Sequence, residues 1–143
     1  MLIAPLVAPI DESTGQLGGA QVLVADLARG LARRGHAVSL LAPHGSRVPG
    51  VQSIHLDIDE AALRPASFAP GARRSDDAAQ HRAFADVRAW LDAHRTDFDL
   101  AHAHAFDAPA FSALRGADLP VLHTLHLPPV SYTHLTLPTK RIV

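Results

Sequence analysis

Apolar residues recur along this chain in two rhythms, one with the period of a strand and one with that of a helix. Leu2, Ile3 and Ala4 make a brief apolar start that Pro5 cuts off, because proline lacks a ladder donor and is hard to place inside a central strand. A second apolar stretch runs to Ile10, and a polar, turn-rich run follows from Asp11 to Gln16. From Gly18 the pattern becomes helical, with Leu23, Val24, Leu27 and Leu31 on one face and Arg29, Arg33 and Arg34 mostly off it. Gly35 stands where a left-handed cap is wanted, and the basic last turn suits the negative end of the helix dipole.

Residues 37–42 form a near-continuous apolar run of strand length ended by Pro43, and residues 51–58 alternate as a third strand. The stretch 59–74 reads as a short helix ending before Pro65, then a loop rich in Pro, Gly and Ala. Ser75 is placed to N-cap a long helix with Asp76 and Asp77 in its first turn, and Phe84, Val87 and Leu91 give its apolar stripe, joined by Trp90. Residues 99–104 read as a fourth strand, 109–114 as a short helix and 120–126 as a fifth strand. Strands alternating with helices predict an α/β fold, a Rossmann-like parallel sheet with helices on both faces. In such sheets ligands bind beyond the carboxyl ends of the strands, near the point where the strand order reverses.

Composition narrows the function classes. A net charge of -1 gives no electrostatic case for nucleic acid or an anionic membrane. With no cysteine, neither a disulfide framework nor a thiolate zinc site is possible. No apolar run approaches the roughly 18 residues that span a bilayer, and the opening residues lack the basic region and cleavage site of a signal peptide, so a cytoplasmic protein is expected. The last stretch breaks with the rest. Residues 131–143 hold the only Tyr (Tyr132), the only Lys (Lys140) and three of six Thr, whereas every earlier cationic site uses Arg. The run from Val130 to Thr139 resembles a translated transposon-type sequencing adapter, so 130–143 is expected to be a non-native tail and 1–129 the domain. The first strand, cut at Pro5, is short enough to expect a few residues ahead of Met1.

Three groups of residues could carry chemistry. Gly15, Gly18 and Gly19 open the first helix, where free amides favour phosphate and glycine lets a ligand approach the backbone. The loop from Pro5 to Gly18 is too long for a dinucleotide fingerprint, and the second strand ends in Ala42, Pro43 and His44 with no acid for a ribose. Turn formation and close helix packing explain the same glycines. His102 and His104, two residues apart at the end of the fourth strand, share a sheet face about 7 Å apart. His123 and His126 at the end of the fifth strand have opposite parity, with His126 nearer the ligand edge. These histidines fit a polar substrate site, a structural role in the core, or a metal site made by His102, His104 and His126, for which Asp107 is the only nearby carboxylate. His36, His44, His55, His81 and His94 read as surface or loop residues.

Four landmarks in order resemble the N-terminal domain of retaining, family 4 glycosyltransferases with a GT-B fold. They are Leu17-Gly-Gly-Ala-Gln21, the helix-to-strand run 31–42, the run 99–109 around His102 and His104, and Pro120-Val-Leu-His-Thr-Leu-His126. The resemblance implies a two-domain enzyme whose N-terminal half mostly binds the acceptor and whose C-terminal half holds the nucleotide-sugar donor and a Glu-x7-Glu motif. Gly18 and Gly19 would lie near the donor diphosphate. His104, with His102 the lesser candidate, would match the histidine that contacts the transferred sugar, and Thr124 and His126 would line the acceptor side. No metal or cofactor is implied beyond the nucleotide-sugar as co-substrate, since dipoles and basic groups stabilise the leaving diphosphate. The donor domain does not occur in these 143 residues, so the chain alone is expected to be inactive. The alternative is a small flavodoxin-like ligand-binding or interaction domain. A metal-dependent hydrolase is a more distant reading.

Overall fold

A computed structural model of the chain describes residues 1–6, 8–14, 18–63, 77–105 and 108–126. The elements run β1 (Leu2–Ile3), α1 (Gly19–Arg33), β2 (Ser39–Leu41), β3 (Gln52–Ile54), α2 (Glu60–Leu63), α3 (Asp77–Ala93), β4 (Ala101–Ala103), α4 (Ala108–Leu114) and β5 (Val121–His123). All five strands pair in parallel, in the order β3-β2-β1-β4-β5. The chain leaves β1 toward β2 on one side and returns from β3 to β4 on the other, so the switch point lies between β1 and β4. The strands are shorter than the apolar runs that encode them; β2 stops two residues before Pro43, and β5 starts directly after Pro120.

Register decides which side chains share a face. Leu40, Leu2, His102 and Leu122 stand side by side across four strands, and so do Leu41, Ile3, Ala103 and His123 on the opposite face. The first face is covered by α1, whose Val24, Ala25 and Ala28 pack on Leu2, Ala4, Leu40 and Ala42. The second is covered by α3 and α4, with Phe84, Val87, Leu91, Ala110 and Leu114 against Ile3, Leu41, Ala101 and Ala103. Helices therefore cover both faces, as the alternation of patterns implies. At roughly 1.5–3 kcal/mol for each fully buried large side chain, the two layers supply most of the driving force for folding.

α1 is rotated from its expected orientation. Its buried face is Gln21, Val24, Ala25 and Ala28; Leu27 and Leu31 lie at the margin and Leu23 is 46% exposed. Alanine has little area to bury, but its small size lets the helix lie close to the sheet, and that contact outweighs the larger Leu23. The cap at its end matches expectation: Gly35 takes φ +88°, and the Gly35 and His36 amides donate to Ala32 O and Leu31 O at 3.0 and 3.2 Å. Phe84, Val87 and Leu91 form the buried stripe of α3 and Trp90 packs beside them. Ser75 and Asp76, expected to cap this helix, lie outside the described residues.

Arg88 of α3 ties the two helices of the second layer together. Its guanidinium donates to Ala113 O (3.1 Å), Arg115 O (3.0 Å) and Gly116 O (3.1 Å) at the end of α4, and its Nε to Asp92 at 2.7 Å. On the first face, Ile10 N donates to Ser46 Oγ (3.0 Å) and Arg47 N to Ile10 O (2.7 Å), which joins the segment after β1 to the loop after β2. A 3-10 turn, Glu12–Thr14, is held to α1 by the ion pair of Arg29 with Glu12, and Arg29 also pairs with Asp26 within the helix.

Candidate functional site at the switch point

The sheet order brings the ends of β4 and β5 beside β1 and gathers His102, His104, Thr124 and His126 into one cluster. His102 lies in register between Leu2 and Leu122, and the backbone beyond β4 stays paired, His104 N donating to Ile3 O at 2.8 Å. Thr124 N donates to Ala103 O at 2.9 Å, which keeps the residue after β5 in step with its neighbour. Alternation then turns the side chains of His102, His104, Thr124 and His126 to the α1 side of the sheet. The rings of His102 and His104 are 4.1 Å apart between centroids, and those of His104 and His126 are 5.1 Å apart and stacked. His102 Nε2 and Thr124 Oγ1 share a hydrogen bond at 2.7 Å; His104 Nδ1 and His126 Nε2 share one at 3.0 Å.

His123 has the other parity and the other environment. It stacks on Phe111 of α4, with ring centroids 4.5 Å apart, in the layer away from the cluster. The outlying histidines have local roles: His44 stacks on His55, whose Nδ1 bonds Ala42 O, and His94 stacks on Trp90.

His104 is fully buried, and its Nε2 has no hydrogen-bond partner among the described residues. Burial lowers its pKa from 6.5 to about 4, and the neighbouring His102 and His126 add to the shift. Burial also lowers His102, with smaller contributions from His126 and the chain's terminal ammonium, and it lowers His126. His123 is lowered by burial and, less, by His102. At neutral pH the cluster is therefore a set of uncharged imidazoles that offers donors and acceptors but no standing positive charge. Among the described residues no three of His, Cys, Asp or Glu are arranged to hold a metal ion.

Gly18 and Gly19 stand at the start of α1. Gly18 is the N-cap residue, with φ -71° and ψ 161°, and no side-chain hydrogen bond caps the helix there among the described residues. The first-turn amides of a helix lack intrahelical partners, the kind of group that can take a ligand anion. The two glycines differ in their surroundings. A Cβ on Gly18 would come within 2.6 Å of Gln21 Oε1, whereas one on Gly19 would meet nothing within 4 Å. No hydrogen bond or ring contact joins them to the histidine cluster among the described residues. Leu17, Phe106 and Asp107, which belong to the sequence landmarks, lie outside those residues. Gln21 is the polar residue that periodicity overlooked. It is buried on the sheet-facing side of α1 with its amide folded over Gly18, and a polar residue at that helical position was the available signal.

The sheet order, with its polar cluster at the switch point, makes this a Rossmann-like α/β unit, the fold of the N-terminal half of a GT-B glycosyltransferase. Residues 17–142 match the profile of Glycosyltransferase Family 4, and the chain belongs to that family. It is similar to the D-inositol 3-phosphate glycosyltransferase of Xylanimonas cellulosilytica, with 30% identity over 131 aligned residues. That alignment covers 82% of this chain and 30% of the relative, so the chain spans about a third of the relative's length. No helix among the described residues is long and apolar enough to cross a membrane.

Proposed function

We propose that the chain is the acceptor-side part of a retaining, two-domain transferase. The parent moves a hexosyl group from a nucleotide-sugar to an acceptor, and this part alone does not turn over. The observation that carries the reading is His104: a fully buried imidazole at the switch point, held neutral, with one ring nitrogen unpaired among the described residues. An unpaired buried polar atom is costly, at about 1–3 kcal/mol, and a ligand hydroxyl would satisfy it. In this reading His104 contacts a hydroxyl of the transferred sugar, with His102 beside it. Thr124 and His126 line the acceptor side. The amides after Gly18 and Gly19 receive the donor diphosphate, whose charge a neutral histidine cluster does not offset. Stabilisation of the leaving group then falls to the helix dipole and to residues of the second domain.

The small share of the relative that the chain covers supports a longer parent. The division at residue 129, with 130–143 as a non-native tail, belongs to the same proposal, as do the partners (donor, acceptor and a second domain) and a cytoplasmic location. The test compares this chain with a parent that includes the second domain, using nucleotide-sugars carrying a labelled sugar. Inositol 3-phosphate, named for the relative, is the first acceptor to try. The parent should transfer label and residues 1–143 should not. Clear turnover by residues 1–143 would sink the proposal.

A further inference from the structure

His104 and His126 are both neutral at pH 7, and their facing nitrogens lie 3.0 Å apart. One proton, and only one, can occupy that contact, because a neutral imidazole carries a single N–H and two facing N–H groups would repel. If the proton sits on His126 Nε2, His104 must carry its own proton on Nε2. That atom is buried and has no partner among the described residues, so the arrangement leaves an orphaned donor there. If the proton sits on His104 Nδ1, the orphan is only a lone pair. The proton missing from His126 Nε2 is then on its Nδ1, on a ring that is only partly buried and open to water. Orphaned buried N–H groups are rarer than under-satisfied acceptors, so the second arrangement is favoured.

We propose that His126 is a positioning residue that holds the proton of His104 on Nδ1, so that the buried Nε2 meets its ligand as a hydrogen-bond acceptor. The consequence for substrate rests on the transferase reading: the group that reaches His104 must donate. A sugar hydroxyl qualifies; a fully ionised phosphate oxygen and a fluorine do not. His104 would then discriminate between a hydroxyl and a fluoro or deoxy substituent at the contacted carbon, and would take no part in holding the diphosphate. The neighbouring pair, His102 Nε2 with Thr124 Oγ1, sets no comparable constraint, since a hydroxyl donates or accepts as required.

The tautomer is read without any substrate, by long-range proton–nitrogen correlation NMR of the nitrogen-15-labelled chain at pH 7.5. The expected result is a protonated Nδ1 and a lone-pair Nε2 for His104. In His126→Phe, which keeps a ring in the stack but removes the acceptor, the His104 Nε2 shift should move toward the protonated position. His126→Asn, which keeps an acceptor oxygen, should move it less. Unchanged signals from His123 and His94 in both variants establish that the fold is retained. A protonated His104 Nε2 in the parent chain, or an unmoved Nε2 shift in folded His126→Phe, overturns the proposal. Because this readout needs no turnover, it stands or falls apart from the transferase reading, which the labelled-sugar assay decides.

Discussion

Acidification should unfold this domain partly through one side chain, and the size of the effect follows from the burial of His104. Its pKa is lowered from the ordinary 6.5 to about 4. In the unfolded chain the imidazole takes up a proton as pH falls through 6.5, whereas the folded chain resists until about 4. Between those values the unfolded state binds more protons, so folding stability falls as pH falls. The contribution is complete above 6.5 and is lost toward 4. At about 1.4 kcal/mol per tenfold change in proton affinity, the full gap is about 3 kcal/mol, most of which is lost by pH 4.5. Against a total of about 5–15 kcal/mol for a small domain, that is a large share. His102, His123 and His126 are lowered in the same direction and add to it. Urea denaturation of the chain and of His104→Leu, from pH 7.5 to 4.5, isolates the term. The unsubstituted chain should lose about 2–3 kcal/mol more than the variant over that range. Parallel stability curves, or a His104 ring that titrates near 6.5 in the folded chain, would show that His104 is not the source of the acid sensitivity.

Other variants test other contacts. Arg88→Met removes three bonds to the end of α4 and should destabilise by about 1–3 kcal/mol, toward the low end because the side chain is partly exposed, with faster amide exchange confined to α4. Arg88→Lys should recover little of this, since one ammonium cannot span three carbonyls. Gly19→Ala meets open space within a helix and should leave the unfolding midpoint level or slightly raised, while raising the donor KM of the intact transferase if a diphosphate sits against that backbone. Gly116→Ala, at φ +69°, should cost about 1 kcal/mol in thermal or urea melts. Deleting residues 130–143 should leave the urea midpoint unchanged if they are no part of the native domain.

What the sequence disclosed is what depends on neighbours along the chain. Periods of two and of 3.6 place the elements in order, and parity alone separates His123 from His126 and puts His102 beside His104. The rotation of α1 was hidden because hydrophobic patterning weights Leu23 above Ala25 and Ala28, although alanine permits the closer approach. The His104–His126 and His102–Thr124 contacts depend on β4 and β5 lying side by side in one register, a non-local fact that strand patterns do not carry. Arg88 is the same case among the helices. Its pattern position reads as the ordinary flank of an amphipathic helix, and its role appears only once α4 is packed beside α3.

The alanines between α1 and the sheet act as a gauge. Ala25 and Ala28 on the helix belong to one buried cluster with Ala4 and Ala42, the residues directly after β1 and β2, all with at most 2% exposure, so methyl groups help set the gap between the two layers. A larger residue at either helical position would lift α1 bodily, because a packed interior transmits added volume instead of absorbing it. The amides at the head of α1 would then stand off from the strand edge that carries His104. On the transferase reading, the separation between a diphosphate held at one and a sugar held at the other depends on the smallest side chains of the core, so a substitution there would alter turnover of the intact enzyme without touching a ligand.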